Sequence, residues 1–195
     1  MADPLSRSFY QRPTVDVART LLGKILVRQT GEGRVAVRLI EVEAYLGPSD
    51  PACHTFGGRR TARVESMWSV AGHAYVYLIY GVHHCLNVVT VGEGVGEAVL
   101  LRGAVVVEGG ELVRRRRGPR PSDQELLNGP GKLCQALAVD RKLDGWDLCS
   151  NDGALWIIDD GCHIPVEEIL VSPRIGLGEV GEAARWPLRY RIRQR

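Results

Sequence analysis

The feature that most constrains this chain is a pair of short apolar runs joined by a tight connection. The runs cover Ala74–Tyr80 and Cys85–Val91, and Gly81 opens the four residues between them. Both runs are rich in valine, leucine, isoleucine and tyrosine, most of which are residue types that favour strands. A connection of this length joins neighbouring antiparallel strands. A β-hairpin is therefore predicted, and with it a sheet that is at least partly antiparallel.

Further stretches of β-branched or alternating residues extend that sheet. They predict strands over Lys24–Gln29, Arg34–Tyr45, Ala98–Val107, Leu155–Ile158 and Leu188–Ile192. The strands do not alternate regularly with helices, as they would in a parallel α/β fold. A mixed α+β domain around a largely antiparallel sheet is therefore predicted.

Helices are few in this pattern. Thr14–Leu22 carries an apolar stripe, with Thr14 as N-cap and a glycine directly after its end. Gly131–Ala138 is predicted as a second helix that begins at Pro130, near the first turn. Glycine, proline or charge interrupts the remaining segments. We therefore expect a loop with room for a short helix over Asp50–Trp68, and an exposed loop over Arg114–Arg120.

The composition is that of an ordinary globular protein. Hydrophobic residues make up 45% and charged residues 25% of the 195 residues, a length that suits one domain. No apolar run approaches the roughly 20 residues that cross a bilayer, and the first residues lack the hydrophobic core of a signal peptide. We expect a soluble, intracellular protein with no membrane partner, in the cytoplasm or nucleoid if the source is bacterial.

The cysteines and histidines do not indicate a metal centre. Five cysteines are scattered without a CxxC pair, so neither a disulfide framework nor a zinc knuckle is indicated. His83-His84-Cys85 and Cys162-His163 place soft ligands side by side, but adjacent residues of a strand point to opposite faces. No HxxxH spacing supports a metal-dependent hydrolase. We expect no metal and no other cofactor.

Arginines are clustered, although the formal net charge is only +2. One cluster is Arg59, Arg60 and Arg63, a second is the run 114–117 with Arg120, and a third lies between 185 and 195. A solvated surface is one interpretation. The other is a phosphate-binding face, which would require the clusters to converge in space. The sequence leaves both open.

The strand Arg34–Tyr45 carries two glutamates close together. In an uninterrupted strand alternate residues share a face, which here groups Val35, Val37, Leu39, Glu41, Glu43 and Tyr45. That face is apolar and then acidic, so we expect Glu41 and Glu43 where the core gives way to a cleft. A buried carboxylate must be paired or protonated. Structural pairing with arginines and a role in chemistry are both open at this point.

Three tyrosines mark the hairpin. Tyr75 and Tyr77 share one face of their strand, and Tyr80 lies on the other, beside the turn. Strand tyrosines are commonly core or cross-strand partners, which suits Tyr75. A tyrosine at a hairpin tip is exposed instead, and one use of an exposed apolar or aromatic side chain is as a wedge between DNA bases.

Five blocks of this sequence occur in the same order in one known family. They are EVEAYLGP at 41–48 with Asp50, His54 and GGR at 57–59; YVYLIYG at 75–81 with Asn87 and VLLR at 99–102; NGPGKLCQAL at 128–137; PRIGLG at 173–178; and WPLR at 186–189. With these blocks the chain closely resembles the alkyladenine (3-methyladenine) DNA glycosylases. The resemblance spans about residues 9–192.

The resemblance implies a monofunctional enzyme that flips a damaged purine out of duplex DNA and hydrolyses its glycosidic bond. Glu43 matches the glutamate that activates the attacking water, and Arg102 matches an arginine that helps to hold that water. The backbone carbonyl of Ile175 matches the third contact of the water. Since a nearby opposite charge lowers a carboxyl pKa, we expect Arg102 to keep Glu43 ionised.

The resemblance also implies a base pocket, to which Ile175 belongs as well. Tyr45, His54 and Tyr77 match the aromatic walls around the flipped base, and the backbone N–H of His54 matches a contact to the base edge. Asn87 matches the pocket residue that clashes with the exocyclic amine of normal guanine.

The DNA contacts and the fold follow from the same resemblance. Tyr80 matches the residue that fills the vacated stack, and Arg59, Arg60 and Arg63 are expected to contact phosphates. The expected fold is α+β: a single glycosylase domain over residues 1–195, built on a largely antiparallel curved β-sheet with peripheral helices and a protruding β-hairpin. We expect a monomer that binds double-stranded DNA containing a damaged purine, with no obligate protein partner.

Lesion preference and reaction type depend on the remaining details. VHHC at 82–85 departs from the family pattern beside the wedge, and Phe56 stands where relatives can carry a polar residue. 3-Methyladenine, 7-methylguanine, hypoxanthine and ethenoadenine are all candidate lesions. Of three lysines only Lys132 lies in the blocks, so no Schiff-base nucleophile is indicated and hydrolysis without strand cleavage is expected. The alternative is a non-catalytic damaged-DNA-binding protein; absence of Glu43 would indicate it, and Glu43 is present.

Overall fold

One antiparallel sheet organises the computed structural model of this chain, which describes residues 3–150 and 153–193. Its strands are β1 (Ile25–Thr30), β2 (Gly33–Tyr45), β3 (Ala74–Ile79), β4 (His83–Thr90), β5 (Glu97–Glu108), β6 (Leu155–Ile158), β7 (Ile169–Ser172) and β8 (Arg189–Ile192). The main order is β3-β4-β5-β2-β1-β6, and β8 pairs with both β2 and β7. The pairings between these strands are antiparallel. The expected α+β fold around a curved, largely antiparallel sheet is confirmed.

Short helices connect and cover the strands. The α-helices of the described ranges are α1 (Arg7–Tyr10), α2 (Thr14–Leu21), α3 (Gly110–Arg117) and α4 (Pro130–Leu137). Single turns of 3₁₀ helix lie at Gly47–Ser49, Phe56–Gly58, Glu65–Trp68, Asp123–Glu125, Arg141–Leu143, Val166–Glu168 and Gly181–Arg185. Among these described helices none is long and apolar enough to cross a membrane.

The strands and helices expected from sequence begin and end within two residues of the observed ones, but several other features differ. Thr14 is the first residue of α2 rather than its N-cap, which is Pro13. Strand β7 and the short helix α1 were not expected. Strand β7 carries only four residues, too few for its alternation to stand out.

The expectation of an exposed loop over Arg114–Arg120 is wrong for its first four residues, which form the second half of α3. Their guanidinium groups are bonded to carboxylates, a side-chain amide and backbone carbonyls of neighbouring segments. Glu32 forms ion pairs with Arg115 and Arg116, and Arg116 also donates to the carbonyl of Ala136 in α4. These contacts stabilise a helix that a run of like charges would otherwise disfavour.

The main core lies between one face of the sheet and helices α2 and α4. Helix α2 contributes Val17, Ala18 and Leu21, and α4 contributes Leu133 and Leu137. Alternate residues of the hairpin strands point to the other face, where a second apolar cluster forms. That cluster contains Cys53, Val64, Met67, Tyr75, Val89 and Ala98, with Tyr45 and Tyr77 packed against it.

A β-bulge interrupts β2 in its middle. Its register against β5 shifts on both sides of Glu41, which lies opposite Gly103. The neighbour of β2 on its other edge changes at the same place, from β1, which ends its pairing at Arg38, to β8, which begins at Glu41. An extra residue in one strand reverses the faces of all residues that follow it.

The expected common face from Val35 to Tyr45 is therefore wrong beyond the bulge. Val42 and Ala44 join the main core, although parity places them on the other face. Glu43 and Tyr45 keep a common face with each other, as expected, but it is the face opposite the main core. The bulge thus turns the end of β2 so that its polar side chains leave the helix-covered side of the sheet.

We predict that two glycines flanking α3 respond differently to the same substitution. Gly109 and Gly118 both have a positive φ, of 78° and 81°, but only Gly109 is in the left-handed helical region, because the ψ of Gly118 is 177°. A Cβ at Gly109 would overlap the carbonyl oxygen of Arg34, whereas nothing lies within 4 Å of one at Gly118. Gly118→Ala should cost about 1–3 kcal/mol from backbone strain alone. Gly109→Ala should cost about 1–2 kcal/mol from strain and roughly 1–3 kcal/mol more from the overlap with a backbone atom. Urea unfolding of both variants measures the difference, and equal losses would contradict the structure around α3.

Candidate active site

Glu43 lies near the end of β2 with its side chain fully buried. Its Oε1 accepts a hydrogen bond from the backbone N–H of Ile175 at 2.8 Å. Its Oε2 accepts from the hydroxyl of Tyr45 at 3.0 Å and from Nη1 of Arg102 at 3.3 Å. Donors from three separate segments therefore fix this carboxylate, as burial of a charge requires.

The pKa of Glu43 is raised above its ordinary value, and burial is the largest cause. Arg102, the N–H of Ile175 and the hydroxyl of Tyr45 all lower it, while the neighbouring carboxylate of Glu41 raises it slightly further. Arg102 therefore acts on the pKa of Glu43 in the expected direction, but desolvation is the larger effect and makes the net shift upward. A carboxyl with a raised pKa is a stronger base once it is ionised.

Glu41 shares Arg102 with Glu43. Oε1 of Glu41 accepts from Nε of Arg102 at 3.1 Å and from Nη1 of Arg189 at 3.2 Å. The two glutamates and two arginines form one cluster with equal numbers of positive and negative groups. Pairing with arginine, left open by the sequence, is thus present for both glutamates.

A cavity of about 290 Å³ opens beside Tyr45. Tyr45, His54, Tyr77 and Asn87 line it, whereas Ile175, also expected in the pocket, is not among its lining residues. The glycine-rich segment 176–178, which directly follows the residue that donates to Glu43, forms another part of the wall. The structure therefore brings four of the expected pocket residues together next to the buried carboxylate.

The aromatic rings of the pocket are held by contacts between a loop and the hairpin. Nδ1 of His54 and the hydroxyl oxygen of Tyr75 lie 2.8 Å apart. The ring of His54 meets that of Tyr77 edge-on at 4.7 Å between centroids, and Tyr75 stacks on Tyr77 at 5.4 Å. Tyr75, interpreted from sequence as a core residue, is thus both buried and the partner of His54, a contact that strand parity alone does not reveal.

His54 and Asn87 present defined polar atoms to the cavity. Burial lowers the pKa of His54, and the charges of Arg63 and Arg59 lower it further, so its ring is neutral at neutral pH. Asn87 is buried on β4, and its Nδ2 donates to the backbone carbonyl of Tyr75 at 3.1 Å. That bond fixes the direction in which the amide faces.

Tyr80 lies at the tip of the hairpin between β3 and β4. Its backbone is left-handed, with φ of 52°, and 83% of the residue is exposed. Val82, two residues on, is also exposed. A non-glycine residue in this conformation is uncommon and is often found where function requires a strained turn.

The arginines of the first cluster surround the loop beside the cavity. Arg59 lines the cavity itself. Arg60 pairs with Glu65 at 2.5 Å, and Arg63 donates to a backbone carbonyl of β3 at 3.1 Å. Contacts with phosphates remain a prediction for all three.

Of the remaining candidate features, only Arg189 joins this site within the described residues. The α3 arginines bond within their own region, and of the third cluster Arg189 reaches the glutamates while Arg185 pairs with Glu182 at the surface. Arg195 lies outside the described residues. Across residues 3–150 and 153–193, no three His, Cys, Asp or Glu side chains are grouped so that they could hold a metal ion.

Comparison with known proteins decides the family. The sequence model of the family described as methylpurine-DNA glycosylase matches residues 8–195. The chain belongs to this family. It is 46% identical over 183 residues to a putative 3-methyladenine DNA glycosylase of Streptomyces avermitilis, which covers 94% of this chain and 85% of the relative. It is 47% identical over 186 residues to one of Methanocella arvoryzae, covering 95% and 90%.

A vertebrate relative extends the comparison. The DNA-3-methyladenine glycosylase of Homo sapiens is 40% identical over 198 residues, which is 97% of this chain and 65% of the relative. The expected family membership is thus confirmed. This methylpurine-DNA glycosylase is a DNA-repair enzyme of the hydrolase class, and damaged DNA is its substrate.

The glycosylase has one further buried ion pair beside the pocket, to which its sequence alone assigns no role. Asp50 accepts from both terminal nitrogens of Arg174, at 2.5 and 2.8 Å, and both side chains are fully buried. Arg174 also donates to the carbonyl of Ala44 at 3.0 Å and lies 4.7 Å from the ring centroid of Tyr45. Because Ile175 follows Arg174, this pair positions the N–H that binds Glu43.

We predict that Asp50→Asn destabilises the glycosylase by about 3–5 kcal/mol, because it leaves the charge of Arg174 buried and unpaired. Arg174 and the N–H groups of Leu46 and Ala52 outweigh burial and lower the pKa of Asp50 below its ordinary 3.8. The difference in unfolding free energy between wild type and Asp50→Asn should therefore be fully present above pH 3.8. It should shrink as the pH falls through the lowered pKa of Asp50. Urea unfolding against pH measures it.

Glu182→Gln serves as the matched control, because the ion pair of Glu182 with Arg185 is fully at the surface. Glu182→Gln should lower the free energy of unfolding by no more than about 0.5 kcal/mol. A stability loss for Asp50→Asn no larger than that of Glu182→Gln would contradict the structural role of the buried pair.

Proposed function

We propose that this glycosylase releases damaged purines from duplex DNA by hydrolysis of the glycosidic bond, with Glu43 as the base that activates the attacking water. The observation that carries the proposal is a fully buried carboxylate with a raised pKa, held by three donors beside an aromatic cavity. Candidate substrates are 3-methyladenine, 7-methylguanine, hypoxanthine and ethenoadenine. The product would be an abasic site in an uncut strand.

The chemistry follows from the properties of Glu43. Hydrolysis needs a base close to the water that attacks the sugar carbon, and a carboxylate with a raised pKa suits this task. The transition state also develops positive charge on the sugar, which a nearby carboxylate stabilises. We propose that Arg102 orients both Glu43 and the water, and that the carbonyl of Ile175 provides a further contact to the water.

Recognition begins with extrusion of the base. Taking a base out of the stack costs a few kcal/mol, and less when it is damaged or mispaired. Stacking on an aromatic ring recovers about 1–3 kcal/mol per base. Tyr45, His54 and Tyr77 would contact the flipped base, and Tyr80, exposed at the hairpin tip, would occupy the space it leaves.

Selection against normal guanine would depend on Asn87. Its amide nitrogen is already bonded to the carbonyl of Tyr75, so the side chain cannot easily rotate away from a purine that carries an extra amine. A clash with a fixed group rejects such a base more strongly than a clash with a mobile one. The neutral ring of His54 and its backbone N–H would contribute to reading the edge of the base.

We propose that residues 1–195 act as one glycosylase domain and as a monomer inside the cell, without a cofactor or an obligate protein partner, because one flipped base requires one active site. Arg59, Arg60 and Arg63 would contact the phosphates near the lesion. Arg60 would exchange its surface pairing with Glu65 for a phosphate, which costs little because exposed ion pairs contribute little.

We predict that Glu43→Gln slows base release at least ~100-fold while it leaves DNA binding intact, because the amide keeps the shape of Glu43 but cannot accept the proton. Single-turnover release of free base is measured in EDTA from duplexes that contain hypoxanthine, ethenoadenine or 3-methyladenine. With the wild type the abasic strand should stay intact until alkali is added. Binding without release from any lesion would instead identify a non-catalytic damage-binding protein.

We predict that Tyr80→Ala slows base release from paired lesions by about 5- to 100-fold, because one stacking contact of the extruded state is lost. The reduction in rate should be smaller when the lesion lies in a single-stranded oligonucleotide, because no gap in a duplex stack then has to be filled. Val82→Ala is the control, since Val82 is also exposed beside the same turn. Equal losses on duplex and single strand would contradict a wedge role for Tyr80.

A further inference from the structure

We propose that Glu41 is a positioning residue for the reaction, which holds Arg102 in the orientation that Glu43 requires. The inference rests on the proposed role of Glu43 as the base. It assigns Glu41 a function in catalysis although Glu41 does not itself contact the base pocket, since it is absent from the lining of that cavity.

The contacts around Glu41 close into a ring. Arg102 donates through Nη1 to Glu43 and through Nε to Glu41, so its guanidinium plane is held at two points. Glu41 also accepts from Arg189, whose Nε donates to the hydroxyl of Ser172 at 3.0 Å.

Ser172 completes the ring through the backbone. It ends β7 and lies three residues before Ile175, whose N–H returns to Glu43 at 2.8 Å. A displacement of Glu41 would therefore reach Glu43 by two routes, through Arg102 and through the segment that carries Ile175.

The backbone is shaped to bring the two glutamates to one guanidinium. The bulge at Glu41 leaves Glu41 and Glu43 both in reach of Arg102. Gly103 lies opposite Glu41, and a Cβ there would lie 3.1 Å from the Cβ of Glu41, which is closer than most such contacts. Glycine at this place permits the close approach of β5 to the bulge.

Charge balance explains why a second carboxylate is needed. Arg102 and Arg189 are mostly buried, with 14% and 18% of their side chains exposed, and Glu41 is 13% exposed. Without Glu41, Arg189 would lose its ion pair and Arg102 would lose one of its two carboxylate partners. Arg102 would then be free to rotate, and the ionised form of Glu43 would be over-stabilised at the expense of its strength as a base.

The groups that face Glu43 come from every element packed around it. Strand β2 supplies Glu41 and Tyr45, and β5 supplies Arg102. The segment after β7 supplies Arg174 and the N–H of Ile175, and the hairpin supplies Cys85, whose buried thiol has a raised pKa. Arg189 of β8 contacts Glu41 instead. Of these, only Glu41 adds a second acidic carboxyl beside Glu43.

Glu41 can be altered without direct change to the base pocket. It lies on the wall of a different cavity, of about 610 Å³, together with Ile40, Gly103 and Arg191. This separation allows a change in the rate of the chemical step to be distinguished from a change in the binding of the base.

The test is the pH dependence of single-turnover base release from a hypoxanthine duplex at saturating enzyme. Glu41→Gln keeps the hydrogen-bond acceptor for Arg102 but removes the negative charge that raises the pKa of Glu43. The acidic limb of the rate profile should therefore move to lower pH. Protonation of the base itself also affects the rate, but equally in all variants.

Glu41→Ala removes the acceptor as well. The rate at the plateau should fall about tenfold or more, as expected for loss of hydrogen bonds to a charged group. Affinity for the DNA should change by no more than about twofold, since the base pocket and Tyr80 are untouched. If Glu41→Ala does not fold, the shift of the acidic limb in Glu41→Gln still decides the question.

Glu108→Gln is the matched control. Glu108 lies at the far end of the same two strands, where it pairs with Arg34 at 3.4 Å, and its loss should move neither the limb nor the plateau. A Glu41→Gln profile that coincides with wild type would overturn the positioning role. If Glu43→Gln itself kept the wild-type profile, the proposed function would fail instead, so the two failures are distinguishable.

Discussion

The burial of one carboxylate determines how the surrounding chain must be arranged. Glu43 is removed from water on a strand whose neighbours are mostly apolar, and an ionised carboxylate in such a place is costly unless donors surround it. The donors come from its own strand, from β5 and from the segment after β7. Since these segments lie far apart in sequence, satisfying Glu43 ties the sheet and the C-terminal part of the chain together. The same burial raises the pKa of the group, so that a demand of folding and a property useful for catalysis have a common physical origin.

The two faces of the sheet have different roles: one forms the main core, and the other carries the candidate active site. Helices α2 and α4 cover one face and form the main core, while the other carries the aromatic cavity and the charged cluster. The bulge in β2 is the element that joins the two roles of this strand. Before it, alternate residues such as Val37 pack into the core; after it, the polar residues turn to the opposite face. β-Bulges and strained backbone conformations are common next to active sites, where they redirect side chains.

Much of the fold could be predicted from sequence because its signals are local. The hairpin follows from two apolar runs around Gly81, and α4 from Pro130 followed by an apolar stripe. The prediction of a single common face along β2 was wrong, because alternation assumes an uninterrupted strand. The composition of the strand gives little sign of a bulge. The helical state of the α3 arginines depends on Glu32, which is about 80 residues away in the chain and therefore invisible to a local pattern.

The candidate site, like the fold, could be predicted from sequence only in part. Motif resemblance was sufficient to name Glu43, Arg102 and the pocket residues, because residue identity and order carry that information. The ion pair of Asp50 with Arg174, the anchoring of His54 by Tyr75 and the net direction of the pKa of Glu43 are properties of three-dimensional packing. Desolvation in particular has no counterpart in sequence, so the effect of the charge of Arg102 on the pKa of Glu43 could be predicted but the larger, opposite effect of burial could not.

The most direct test of this account is an NMR titration of the side-chain carboxyl carbon of Glu43 in the folded protein, assigned with the Glu43→Gln variant and compared with the pH dependence of base release. The account predicts a midpoint above the ordinary value of 4.5 that coincides with the acidic limb of the rate. A midpoint at or below 4.5, or base release at full rate where the carboxyl is already protonated, would contradict it.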